Sequence, residues 1–210
     1  MLGTSVEFLV RSRFIRFEDR EISDEFSRVF SQRFLTHFGD KMLSVEYQDN
    51  AFIVSCETAE GERVQRRAEQ VLVATGVDSN SDTLNLDSTA VEVDEAGYIR
   101  VDSYLETKEP GVYAFGDVIG RHLFRHTANY EGEYLFKTSV ADHDNRYPIQ
   151  YPPIPHAIFT NPQVGGVGKT EDELIADGVD YVKGVNLYKN SAMGMALLSE
   201  EGFVKVLVDR

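Results

Sequence analysis

The segment Gly111-Val112-Tyr113-Ala114-Phe115-Gly116-Asp117-Val118 carries the residues best suited to holding a ligand. A short apolar strand there ends in Gly-Asp, near the carboxyl edge of a sheet, where open α/β folds bind their ligands. Gly116 allows close backbone approach. The carboxylate of Asp117 is able to accept a hydrogen bond from a hydroxyl of a sugar or ribityl chain. Nine residues further on, His126 stands at the start of a helix, and free N–H groups at a helix N-terminus suit an electron-rich carbonyl edge. Read alone, the same residues also spell an ordinary strand followed by a turn.

Other candidates carry less. Gly165-Gly166-Val167-Gly168-Lys169-Thr170 resembles a phosphate loop, but the position where that loop needs its first glycine is Gln163. A strand ending at a helix cap is the better reading. His37, His122, His143 and His156 show no metal spacing, and Asp142-His143-Asp144 reads as a solvated charge run. Cys56 is the single cysteine, which excludes an internal disulfide framework, a CxxC pair and a cysteine-based zinc cluster within this chain. Its place in a strand makes it structural. No catalytic residue and no metal site is assigned.

The elements that must position these residues follow from patterning. Ser5–Val10 reads as a buried strand, and Leu2-Gly3 before it as the end of a helix with Gly3 at its C-cap. The missing helix suggests a piece of a longer protein. Ser23-Asp24-Glu25 opens a helix that carries Phe26, Val29, Phe30 and Phe34 to about Leu35. Strands over 42–47, 51–57 and 63–67 form an antiparallel meander. Strands follow at 70–75, 98–101 and 111–115, then a helix over 127–141. The run 142–155, with four prolines, reads as a linker. Beyond it come strands at 157–160 and 163–167, a capping box at Thr170 opening a helix to Ala176, and strands at 179–188, 193–198 and 203–208.

The 210 residues make one large domain or two small ones, with 42% hydrophobic residues and no apolar run approaching a membrane span. Sixteen Asp and 19 Glu against 14 Arg and 7 Lys give a net charge of −14. Nucleic-acid binding and membrane association are therefore not expected. So anionic a surface fits either a salt-adapted protein or an ordinary acidic cytosolic one.

Several of these segments occur together and in order: Val71–Gly76, Asn80, Gly97–Asp102, Thr107, Gly111–Val118, His126-Thr127-Ala128-Asn129-Tyr130-Glu131-Gly132, Pro155–Val164 and Val167-Gly168. In that order they resemble the FAD-dependent pyridine nucleotide–disulfide oxidoreductases. The run Leu123–Glu131 is nearest to the dihydrolipoamide dehydrogenase and mycothione reductase branches. The resemblance implies an α/β chain, α+β in its C-terminal part, with partial dinucleotide-binding folds followed by part of an interface domain containing an antiparallel sheet. Residues 1–75 correspond to the later part of an NAD(P)-binding domain, 76–147 to the second segment of an FAD-binding domain, and 148–210 to the first part of a dimerisation domain. FAD and NAD(P) are the implied cofactors, held through Asp117, Gly116, Leu123, Phe124, Arg125 and His126 for the flavin and Gly76 for the pyridine nucleotide.

The implied parent is a cytoplasmic homodimeric flavoenzyme that passes electrons between NAD(P)H, FAD and a small-molecule or lipoyl disulfide. The alternatives are an NADPH-dependent reductase of a low-molecular-weight disulfide or of mercuric ion, and a non-catalytic interaction module. The family's CxxxxC, its glycine-rich FAD and NAD(P) fingerprints and its C-terminal His–Glu pair are absent from this sequence, so the chain alone is expected to be inactive. In a dinucleotide fold the end of the second strand selects the coenzyme. An acidic residue there favours NAD, and arginine favours the 2′-phosphate of NADP. Here Arg11 and Arg16 resemble the arginine pair of NADPH-using members, although an exposed basic edge reads the same way.

Overall fold

In the computed structural model, which describes residues 3–210 and only the backbone of His143, six phenylalanines organise the start of the chain. Strand β1 (Glu7–Val10) brings in Phe8, helix α1 (Arg20–Arg33) brings Phe26 and Phe30, and strand β2 (Leu35–Phe38) adds Phe38. Phe14 and Phe34 come from the connections. Phe26 and Phe30 stack at 4.3 Å, and Phe14 meets Phe8, Phe26, Phe30 and Phe38 edge-on at 5.4–5.8 Å. Edge-to-face geometry suits the ring quadrupole. β1 and β2 pair in parallel, joined by α1 as the crossover. The meander follows as β3 (Lys41–Gln48), β4 (Ala51–Glu57) and β5 (Arg63–Ala68), antiparallel in that order. Ala51, Val54 and Cys56 bury the central strand.

The chain forms two compact units, Met1–Val73 with Ala157–Arg210, and Ala74–His156. The first is closed by charge. Asp19 caps α1 by accepting from the Glu21 N–H at 3.1 Å, and its other carboxylate oxygen accepts from the Glu171 N–H at 3.0 Å. Glu171, 152 positions from Asp19, is the first residue of helix α3 (Glu171–Ala176), so one carboxylate serves the N-termini of two helices. Lys205, on strand β9 (Phe203–Asp209), donates to Asp19 at 2.8 Å and to Glu171 at 2.6 Å, and pairs with Glu21 at 2.7 Å. Its side chain is 4% exposed. β9 pairs antiparallel with β8 (Tyr181–Leu187), whose Tyr181 hydroxyl donates to Glu171 at 2.7 Å. Strands β6 (His156–Ile158) and β7 (Val164–Gly166) make a further small pair.

The second unit has little regular sheet. Its core is Leu105, Tyr134, Leu135 and Ile149, with Val101, Tyr113, Ile119 and Tyr151 packed around them. Helix α2 (Arg125–Leu135) supplies two of these and runs on through a π-turn at Phe136–Ala141.

Several sequence expectations change. Asp19, not Ser23, caps α1, because the Ser23 hydroxyl is buried and donates to the Phe14 carbonyl at 2.7 Å. α1 stops at Arg33 and Leu35–Phe38 is a strand, since the alternate residues there pair with β1. Residues 70–75 form no strand, and Leu72 is 91% exposed. No neighbouring strand among the described residues pairs with its backbone. The expected strands at 98–101 and 111–115 reduce to single bridges, Val93–Ile99 and Glu106–Tyr113. Residues 192–196 form a helical turn, α4 (Ala192–Ala196), instead of a strand, because the Ser191 hydroxyl accepts from Gly194 N–H and caps it. The helix end expected at Leu2-Gly3 rests on residues outside those described, as does the side chain of His143.

Burial alone would lower the Lys205 pKa, but its three carboxylate partners outweigh that and raise it. Lys205 and Tyr181 hold the Glu171 carboxyl down at about 2, against an ordinary 4.5. Asp19 is likewise held below its ordinary value: burial opposes the shift, and bonds from Lys205 and backbone N–H groups overcome it. A depressed carboxyl contributes stability that is complete above its unfolded pKa and is lost as pH falls through the folded one. Denaturant melts should therefore show stability falling from about pH 4.5 towards pH 2, less steeply in Glu171→Gln. Lys205→Met, which strands three carboxylates, should cost about 2–4 kcal/mol at pH 7.

Candidate functional site

Glycine–aspartate geometry in the second unit begins with backbone conformation. Residues Gly116–Ile119 form a 3-10 turn after the extended Phe115. Gly116 has φ +75°, and a Cβ there would lie 3.1 Å from the Ala128 methyl of α2. Only glycine allows both the left-handed backbone and this approach to the helix. The turn closes at Gly120, whose N–H donates to the Asp117 carbonyl at 3.0 Å. A Cβ at Gly120 would fall 2.4 Å from the Tyr98 ring.

Asp117 follows with an exposed carboxylate that has no hydrogen-bond donor among the described residues. The helix beside it starts without a side-chain cap, since its capping position is Phe124. Its first N–H groups are left for a ligand or water. Leu123, Phe124, Arg125 and His126 are all exposed around this N-terminus. The Phe124 ring stacks against His126 at 5.8 Å and against His156 at 5.4 Å. At the third residue of the helix, the Thr127 hydroxyl is buried and has no partner among the described residues.

Behind the turn lies a buried carboxylate. Glu131 is 1% exposed. One of its oxygens accepts from the Gly116 N–H and the other from the Tyr151 hydroxyl, both at 2.6 Å. Arg121 donates to that hydroxyl at 3.3 Å and lies over the Tyr151 ring. Burial, and then the bond to the Glu131 carboxylate, push the Tyr151 phenol up to about 12.

The structure thus brings Gly116, Asp117, Leu123, Phe124, Arg125 and His126 onto one turn and one helix end. Gly76, in the same unit, is exposed just after a bend at Thr75, with φ +135°, where a Cβ would meet nothing within 4 Å. Arg11 and Arg16 belong to the other unit, on the exposed loop after β1. Neither is in an ion pair among the described residues. Arg16 lies over the Phe17 ring at 4.7 Å, and Arg13 holds the loop by donating to the Arg16 carbonyl. Ile15, with φ +42°, places Arg16 on the outside of that turn.

Glu131, Tyr151 and Arg121 were given no role from sequence. The available signal was an acidic residue on the buried stripe Thr127, Glu131, Tyr134 and Thr138 of a helix, where a charge needs partners. Cys56 is fully buried in β4, and burial raises its thiol pKa. Lys169, in the phosphate-loop lookalike, is paired with Asp177, and Thr170 forms the capping box of α3. Among the described residues no cluster of metal-ligating side chains occurs, and no helix is long and apolar enough to cross a membrane.

Residues 2–132 match the profile of the pyridine nucleotide-disulphide oxidoreductases, and residues 154–210 match the dimerisation domain of the same family. The chain belongs to that family, an α/β class whose members use FAD and NAD(P)H. It is 33% identical over 173 residues to a dihydrolipoyl dehydrogenase of Halobacterium salinarum, covering 82% of this chain and 36% of that protein. It is 31% identical over 219 aligned positions to a mycothione reductase of Mycobacterium tuberculosis, covering all of this chain and 45% of that protein. In structure it resembles an HOCl-induced flavoprotein disulfide reductase of Escherichia coli, with TM-score 0.84, 21% identity, and coverage of 99% of this chain and 47% of that one. The chain therefore spans less than half the length of these relatives.

Proposed function

We propose that residues 76–147 hold the flavin of an FAD-dependent NAD(P)H:disulfide oxidoreductase of the dihydrolipoamide dehydrogenase type. The carrying observation is the exposed carboxylate of Asp117, without a donor among the described residues, on a glycine turn packed against a helix N-terminus that has no side-chain cap. These groups fit a flavin nucleotide. Gly116 leaves room for a ligand at the backbone, Asp117 accepts from a ribityl hydroxyl, and the N–H groups of Arg125 and His126 meet a carbonyl edge. Leu123 and Phe124 give an apolar surface that excludes water from the ring. A flavin held there supplies two-electron exchange between a pyridine nucleotide and a disulfide or dithiol. The chain's own part is to bind, orient and shield.

In this reading residues 1–75 are the later part of the NAD(P)-binding domain and 148–210 the first part of a dimerisation domain. The apolar exposed residues of β8 and β9, including Val182, Val185, Val204 and Val206, support a homodimer. The substrate is a lipoyl or small-molecule disulfide and the setting is cytoplasmic. One observation favours a second reading, an NADPH-dependent reductase of a low-molecular-weight disulfide. Arg11 and Arg16 are exposed on the loop after β1 with no acidic partner among the described residues, as a 2′-phosphate site requires.

Three outcomes are expected. In the full-length gene product, Asp117→Ala should weaken FAD binding on the order of ten- to a hundredfold while the apoprotein melts as wild type does. Equal FAD affinity with a lowered apo melting temperature would mean that Asp117 only stabilises the turn. Under the NADPH reading, Arg11→Glu should erode a preference for NADPH by a similar factor, on the order of ten- to a hundredfold. A wild-type preference for NADH sinks that reading. The 210-residue chain alone should reduce no disulfide with NAD(P)H and FAD, because its one cysteine cannot form the redox pair. Measurable turnover by the purified chain would refute this.

A further inference from the structure

We propose that Glu131 is a positioning residue of the flavin site: tied to the Gly116 N–H and locked by Tyr151, it sets the turn that presents Asp117. The inference rests on the reading of Asp117 given above and adds to it a residue that never meets the cofactor.

Three observations carry it. First, a carboxylate at 1% exposure needs a reason, because an apolar side chain fills such a place at lower desolvation cost. What Glu131 gains is the N–H of the residue immediately before Asp117. Second, each oxygen of Glu131 has one donor at 2.6 Å, Gly116 N–H on one side and the Tyr151 hydroxyl on the other. Two donors on two oxygens fix the plane of the carboxylate as well as its position. Tyr151 is itself held by Arg121, which donates to its hydroxyl and covers its ring. Third, the Gly116 backbone at φ +75° lies against Ala128, three residues before Glu131 on the same helix. With the N–H of Gly116 drawn inward to Glu131, the next side chain, Asp117, is left on the outside of the turn, exposed and without a donor among the described residues. A turn released from Glu131 keeps its aspartate but samples other directions, so that binding has to order it first.

The test is a double-mutant cycle read by equilibrium FAD titration in the full-length gene product, beside apo melting curves. Glu131→Gln keeps the shape but replaces the carboxylate by a neutral amide, so the Gly116 bond loses its charge assistance and the Tyr151 hydroxyl has to accept where it donated, beside the N–H that Arg121 already gives it. It should weaken FAD binding on the order of tenfold or more. Combined with Asp117→Ala, it should add little to the loss that Asp117→Ala gives alone, because Glu131 acts through Asp117. If Glu131→Gln does not yield folded protein, Tyr151→Phe takes its place, removing one lock and leaving the carboxylate. Its loss, about threefold to tenfold, should also vanish on the Asp117→Ala background. Losses that multiply in the double variant, or an unchanged affinity in the single one, would show that the buried carboxylate only supports the fold. An unchanged affinity in Asp117→Ala by itself would remove the flavin reading, and the positioning role with it.

Discussion

A polar side chain taken out of water must be matched on every side by charge or hydrogen bonds, and two such groups organise this chain. Lys205 sits among Asp19, Glu21 and Glu171, and Glu131 sits between Gly116 and Tyr151. Each is nearly inaccessible, so each tolerates only a narrow arrangement of its neighbours. Lys205 and Asp19 lie 186 positions apart, yet the network defines the start of α1, the start of α3 and the place of β9 together. That is why the first unit is made from both ends of the chain.

The phenylalanine cluster and the charge network divide the work within that unit. The rings give α1 and β1–β2 their non-directional cohesion, which fixes which faces meet but leaves rotation and sliding open. The hydrogen bonds of Asp19 remove that freedom, because both of its oxygens are committed to backbone N–H groups as well as to Lys205. A helix end left uncapped inside the unit would strand those groups without water.

In the second unit the same physics shapes the turn for which we propose a flavin. Regular sheet is nearly absent, so the turn at Gly116–Ile119 cannot depend on ladder hydrogen bonds for its shape. It depends on a glycine approaching α2, on Gly120 lying against Tyr98, and on the carboxylate behind it. The exposed residues Asp117, Leu123 and Phe124 then stand on a rigid support while making few protein contacts themselves.

Local signals were sufficient wherever one short segment carries its own instruction. The alternation of β3–β5, the helical spacing of Phe26, Val29 and Phe30, the Thr170 capping box and the Gly116-Asp117 turn were all legible, and their order along the chain resembled the family to which it belongs. What needed tertiary structure was every feature whose partner is distant. Ser23 reads as a cap until Phe14 takes its hydroxyl and Asp19 takes the role. Val71–Val73 reads as a strand, but a strand exists only where another backbone pairs with it. Met193–Leu198 reads as a strand, until Ser191 caps it as a helical turn. Glu131 is one more acidic residue in a strongly acidic sequence. Only the fold, by burying it between a glycine N–H and a tyrosine hydroxyl, separates it from the carboxylates that merely keep the surface wet, because burial is a property of the neighbours and not of the residue.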